Sequence, residues 1–226
     1  IFSWHKNCSF SVFQNTTAEV EVNLKIGQKK RQKTNEIKFG SPNAHQIPKT
    51  QNEHRAFKSP THQELSNLLN QYKTKNYDEA EKLAISITEK FPSHTFGWKV
   101  LGAILAATGR KTEALCVKQT ILELSPQDAE AHSSVGITLQ ELGRLEEAEK
   151  SHTQAIALKP NFAEAYYNLG LTLQQLGRLK EAEASYNQAI ALKSDFAVAY
   201  YNLGLTLQKL GRLEEAETSY TQAIAL

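Results

Sequence analysis

Residues Asn161 to Ser194 read NFAEAYYNLGLTLQQLGRLKEAEASYNQAIALKS, and this stretch decides the fold because the chain says it again. The next run, Asp195 to Leu226, is DFAVAYYNLGLTLQKLGRLEEAETSYTQAIAL and differs from it at six of 32 aligned positions. Upstream, Gln127 to Pro160 (QDAEAHSSVGITLQELGRLEEAEKSHTQAIALKP) and Ser93 to Pro126 (SHTFGWKVLGAILAATGRKTEALCVKQTILELSP) fall on the same frame. Pro92, Pro126 and Pro160 are each 34 residues apart, and Ser194 takes the next slot. A fixed period of this size marks a repeat architecture.

Each unit carries two helical patterns. Tyr166, Leu169, Gly170, Leu173 and Leu176 lie on one face of a first helix. Gly177 then stands where a helix ends on a left-handed residue. Leu179, Ala182, Tyr186, Ala189, Ile190 and Leu192 trace the stripe of a second helix. Asn161 and Glu164 have the spacing of a capping box at the entry. Gly102, Gly136, Gly170 and Gly204 recur on the first helix, and Ala114, Ala148, Ala182 and Ala216 on the second. Small residues at both positions let the two backbones approach, and a bulky side chain at Gly170 would overpack the crossing by about 1–3 kcal/mol. A single pair cannot bury both its stripes, so the pairs must stack.

Trp98-x-x-Leu101-Gly102, Ala114 and Pro126 on a 34-residue period resemble the tetratricopeptide repeat (TPR). The tryptophan slot is filled by His132, Tyr166 and Tyr200 in later units, and the second-helix aromatic slot by Tyr186 and Tyr220. That second slot holds His152 and Lys118 in the two earlier units, and Ile121 replaces the alanine found at Ala155, Ala189 and Ala223. The resemblance implies an all-α fold, a right-handed superhelical solenoid of antiparallel helix pairs. The expected units are 93–126, 127–160, 161–194 and a truncated 195–226, after a degenerate first repeat at 59–92. In that first unit Leu65, Leu68, Leu69 and Tyr72 form one helical face, and Leu83, Ile87 and Phe91 continue the other. Its turn reads one residue shorter, with Asn76 in place of glycine.

Residues 1–58 fit no repeat. Ala18 to Ile26 alternates like a strand, but 27–60 is rich in Lys, Gln, Asn, Ser and Pro, a composition that resists folding. A basic, mostly disordered arm is expected there. Residues 1–60 hold ten Lys/Arg and four acids, a net +6, and the remainder is −4, which gives the overall +2. The cluster Lys29-Lys30-Arg31-x-Lys33 lacks interleaved aromatics and reads as a solvated tail, so no specific nucleic-acid partner is expected. Cys8 and Cys116 cannot build a disulfide framework, and no apolar run reaches the length of a membrane span. A reduced, cytoplasmic setting is the expectation. The chain starts at Ile1, contains no methionine and stops inside an apolar-periodic stretch, so both ends read as truncated.

No catalytic set emerges. The seven histidines show no HExxH spacing, and His132 and His152 occupy aromatic slots of the repeat. Glu146-Glu147 and Glu214-Glu215 open second helices, where carboxylates suit the helix dipole better than a metal. No cofactor or metal is expected. What remains is the inner wall of the stack. Projected along the repeat, it shows Lys99, Ser133, Tyr167 and Tyr201 in one row and Val100, Ser134, Asn168 and Asn202 in a second. Ala106, Gln140, Gln174 and Gln208 form a third. The candidate peptide-binding residues are therefore Lys99, Ser134, Tyr167, Asn168, Gln174, Tyr201, Asn202 and Gln208. Asparagine amides pair with the backbone of an extended peptide, and tyrosines add rigid contact area. Asn168 and Asn202 resemble the asparagine ladder of O-linked N-acetylglucosamine transferase repeats, although Ser134 and Val100 depart from it. They are also explained as residues simply inherited with the repeat. The Lys/Arg/Asn clamp of chaperone-binding repeats is absent. The reading is a protein–protein interaction module that binds a peptide or protein segment. The alternative is the substrate-recruiting region of a larger transferase (glycosyl-, sulfo- or methyltransferase), with further repeats or a catalytic domain in cis.

Overall fold

The computed structural model describes residues 59–226, so the strand-like segment and the basic arm lie outside the described residues. Ten helices follow one another with no strand among the described residues. They pair as α1 (His62–Lys73) with α2 (Tyr77–Lys90), α3 (Thr95–Ala107) with α4 (Lys111–Leu124), and α5 (Ala129–Glu141) with α6 (Leu145–Leu158). Then come α7 (Ala163–Gln175) with α8 (Leu179–Leu192) and α9 (Ala197–Lys209) with α10 (Leu213–Ala225). Each helix packs on its sequence neighbours. The first helices of adjacent pairs also touch at α1/α3, α5/α7 and α7/α9, whereas the α3/α5 contact is thinner. The result is an all-α solenoid whose inner wall is made of first helices.

The turn within each pair is set by one residue. Gly177 has φ +75°, and behind it the Arg178 N–H reaches the Leu173 carbonyl at 2.9 Å, which closes a Schellman motif. Lys75 adopts φ +59° at the same place in the first pair. It stands 34 residues before Gly109, so the first turn is not shortened, and the glycine slot is held by Lys75 rather than Asn76. A side chain in this conformation costs roughly 1–2 kcal/mol, partly regained because glycine is freer when unfolded. Lys75→Gly is expected to raise stability by about 0.5 kcal/mol. A lower urea midpoint for the variant would contradict this.

Entry into the first helices varies. Thr61 and Glu64 form a capping box at α1, and Asp128 accepts from the Ala131 N–H at 3.0 Å at α5. The expected box at Asn161 and Glu164 is absent: Phe162 is the N-cap of α7 and makes no side-chain cap bond. Its ring instead lies under the Lys159 ammonium at 4.6 Å. In two units the tryptophan slot ties the unit to the one before. Trp98 Nε1–H donates to the Pro92 carbonyl at 2.8 Å, and His132 Nε2–H to that of Pro126 at 2.9 Å.

Inside a pair, one bulky and one small side chain share the crossing. Tyr186 is fully buried over Gly170, where an added Cβ would sit 2.6 Å from its ring. The first pair reverses the arrangement. Leu68 fills the glycine slot and Ala84 the aromatic slot, both fully buried. The volume is kept while the helix that supplies it changes.

On the outer side, arginines latch successive pairs. Arg110 bonds Glu81 of the previous pair and Glu113 of its own, each at 2.7 Å. Arg178 repeats this with Glu149 and Glu181, and Arg212 with Glu183 and Glu215. Arg144 holds only Glu147, because the position 29 residues earlier is Leu115. Leu115 packs with Val135, Leu139 and Ala148 instead.

Candidate binding groove

The first helices present their candidate residues in two different chemical settings. At the α7/α9 end, Asn202 is turned partly inward. Its Nδ2 donates to the Val198 carbonyl at 2.8 Å and to the Tyr167 hydroxyl at 3.2 Å. Its Oδ1 accepts nothing among the described residues. The Tyr167 ring is held 5.1 Å from Phe196 and 6.0 Å from Tyr186, so it is fixed before any ligand arrives. Burial pushes the Tyr167 phenol up, and the bond from Asn202 partly offsets this. Asn168 is half-buried and its side-chain amide bonds nothing among the described residues. Tyr201 is 52% exposed and Val198 50%, one turn apart.

Gln174 and Gln208 have a role that sequence reasoning missed. Gln174 Oε1 accepts from the Tyr186 hydroxyl at 3.3 Å, and Gln208 Oε1 from Tyr220 at 3.1 Å. Each glutamine tethers the second-helix tyrosine of its own pair, which leaves its NH2 group and one oxygen lone pair for a ligand. Ser133 and Val100 are buried and do not reach the groove surface.

The α3/α5 end carries two lysines and is hollow. Lys99 Nζ bonds Asp128 at 2.8 Å, the same carboxylate that caps α5. Lys118 comes from the second helix yet passes beside Gly102 to the inner wall. Its ammonium donates to the Ser134 carbonyl at 3.2 Å and to the Thr138 hydroxyl at 2.7 Å. Burial pulls its pKa below the usual lysine range. A hollow of 260 Å³ opens here, bounded by Lys99, Ala103, Lys118, Ile121, Glu130 and Ser134. Lys118, Asp128 and Thr138 were not among the candidate residues. The signal was present in the alignment, since Lys118 is the one charge in the column Lys118, His152, Tyr186, Tyr220.

Among the described residues no three metal-ligating side chains cluster, and no helix is long and apolar enough to cross a membrane. Family models of the tetratricopeptide repeat match residues 139–177, 173–211 and 197–226. The chain carries tetratricopeptide repeats. Solved structures show the same architecture. A crystal structure of MamA is 24% identical, covers 69% of this chain and 91% of its own, and superposes with a TM-score of 0.64. MamA from Desulfovibrio magneticus RS-1 gives 20% identity, coverage of 73% and 93%, and a TM-score of 0.67. YrrB, described as a TPR protein with an unusual peptide-binding site, gives 19%, 74%, 86% and 0.60. At these identities the likeness establishes the TPR fold alone. No curated protein sequence matches the chain.

Proposed function

We propose that the TPR stack is a docking module that grips an extended peptide segment of a partner protein along its inner wall. TPR proteins are in general protein–protein interaction scaffolds, and YrrB is described as binding peptide. The observation that carries the reading is the unspent Asn168 amide on α7 and the open Asn202 Oδ1 on α9, beside fixed tyrosines. The Asn168 amide and the Asn202 Oδ1 can bond a peptide backbone, whatever its side chains, and Tyr167 and Tyr201 supply flat contact. On this reading the module acts by holding its partner.

The test uses a random dodecapeptide library displayed through its C-termini, followed by synthesis of the enriched sequences. Removing two backbone-directed bonds costs about 2 kcal/mol, so Asn168→Ala with Asn202→Ala is expected to weaken binding roughly thirtyfold. Unchanged affinity for every enriched peptide removes the asparagines from the site.

A second reading has one observation in its favour. Ile224 on α10 is 86% exposed and Leu213 64%, whereas Ile190, one repeat earlier, packs into the core beside α9. A further helical unit covers such a face in every earlier pair. On this reading the stack recruits substrate for a transferase domain in cis. A stop codon directly after Leu226 in the reading frame removes it.

A further inference from the structure

We infer that the hollow between α3 and α5 is a specificity pocket for an acidic side chain, Asp or Glu, of the peptide lying in the groove. The inference rests on the peptide-binding reading and names what that peptide must carry. The first observation is the ammonium of Lys118. It has three N–H donors, of which two are used by the Ser134 carbonyl and the Thr138 hydroxyl, and it bonds no carboxylate. Glu141 acts on it only from a distance, so a half-buried cation keeps a donor that no carboxylate touches.

The second observation is space. Tyr186 and Tyr220 close this crossing in later pairs, with an added glycine Cβ only 2.6 Å from either ring. At Gly102 the nearest atom to such a Cβ is Lys118 Cγ at 3.4 Å. The lysine stem is slimmer than a ring, and α3 and α5 touch less than the other first helices do. The gap opens onto the inner wall, and its 260 Å³ has room for a carboxylate with its stem.

The third observation is charge. Lys99, itself paired with Asp128, borders the same hollow, and each nearby carboxylate already has a cationic partner. Asp128 is bound by Lys99 and by the Ala131 N–H, Glu130 pairs with Lys159 at 3.7 Å, and Glu141 pairs with Lys111 at 3.5 Å. A peptide carboxylate entering here meets the free donor of Lys118, with Lys99 at its flank. The groove would thus have two parts, a sequence-tolerant amide and aromatic end on α7 and α9 and a charge-selective notch at α3 and α5.

The same displayed library tests this, because its peptides offer carboxylates only as Asp and Glu side chains. Sequences enriched on the wild-type protein are expected to share an acidic residue at one position. In a synthetic, C-terminally amidated peptide, changing that residue to Gln or Asn is expected to weaken wild-type binding about tenfold, as loss of a charge-assisted bond does. The same change should cost nothing against Lys118→Gln, which keeps a donor without the charge. Lys118→Tyr installs the ring of the later pairs and serves if Lys118→Gln melts early. Enriched peptides without a shared acid overturn the pocket and leave the groove standing. So does an acid whose replacement costs as much against both variants as against wild type. If no sequence is enriched at all, the groove reading falls and the pocket with it.

Discussion

Between pH 7 and pH 4 the stack is expected to lose about 3 kcal/mol of stability through one side chain, His152. It occupies the aromatic slot of α6, is fully buried, and neither ring nitrogen has a hydrogen-bond partner. Burial lowers its pKa from the ordinary 6.5 to about 4. The unfolded chain therefore takes up the proton first. Stability attributable to the neutral ring is complete above pH 6.5, declines as pH falls through 6.5, and the loss levels off below about 4. His152→Tyr should remove this component. It also restores the tether seen elsewhere, since Gln140 stands twelve residues before position 152 as Gln174 does before Tyr186. Urea unfolding of both proteins at pH 7 and pH 4 gives the comparison. A wild-type loss no larger than that of His152→Tyr would show that the ring is not held neutral by burial. In a stack that is stable only through nearest neighbours, charging one middle pair uncouples what lies on either side.

The second large effect separates glycines that look equivalent in the alignment. Alanine gains roughly 0.8–1.0 kcal/mol over glycine inside a helix. At Gly102 the added methyl meets Lys118 Cγ at 3.4 Å, so Gly102→Ala is expected to stabilise by most of that gain. At Gly170 the methyl lies 2.6 Å from the ring of Tyr186, which is fully buried and has nowhere to go. Overpacking of this kind costs about 1–3 kcal/mol, so after the helix gain Gly170→Ala is expected to be net destabilising by up to about 2 kcal/mol. Gly204→Ala makes the same contact with Tyr220, but that ring is only half-buried and can swing outward, so its cost should be smaller. Thermal melts of the three variants would show the order 170, 204, 102. Equal effects would mean that the crossing is set by something other than the facing side chain. The first pair suggests the rescue. Gly170→Leu with Tyr186→Ala copies Leu68 and Ala84, and should cost less than the two single changes added together.

Much of this was legible in the sequence. The 34-residue period, Gly177 at the helix end and the small residues at the crossing required only spacing and side-chain size, and the helices follow them. What misled was local reading at unit boundaries. Asn161 and Glu164 have capping-box spacing, but Phe162 sits at the cap because its ring serves the neighbouring Lys159. Lys75 was overlooked in the left-handed position because a lysine carries no signal of that conformation. In the groove, projection placed residues on the right helices without showing what their far atoms bond. Gln174 and Gln208 read as free amides, yet each is tethered to a tyrosine twelve residues on. Lys118 was assigned to the second helix, and only packing shows that its ammonium emerges on the first-helix side.

Three junctions of this rod are fastened on the outside by a guanidinium gripping carboxylates from both neighbours, a bond with a preferred direction. The fourth, at Arg144, lacks that clamp: Leu115 packs on Val135, Leu139 and Ala148 there, and the bonds that cross it run from Lys99 to Asp128, from Lys111 to Glu141 and from Lys118 to Ser134 and Thr138. That junction joins the same two pairs that border the hollow at Lys99 and Lys118. Polar fastening at this joint therefore falls to lysines instead of a guanidinium, and two of them, Lys99 and Lys118, also line the hollow.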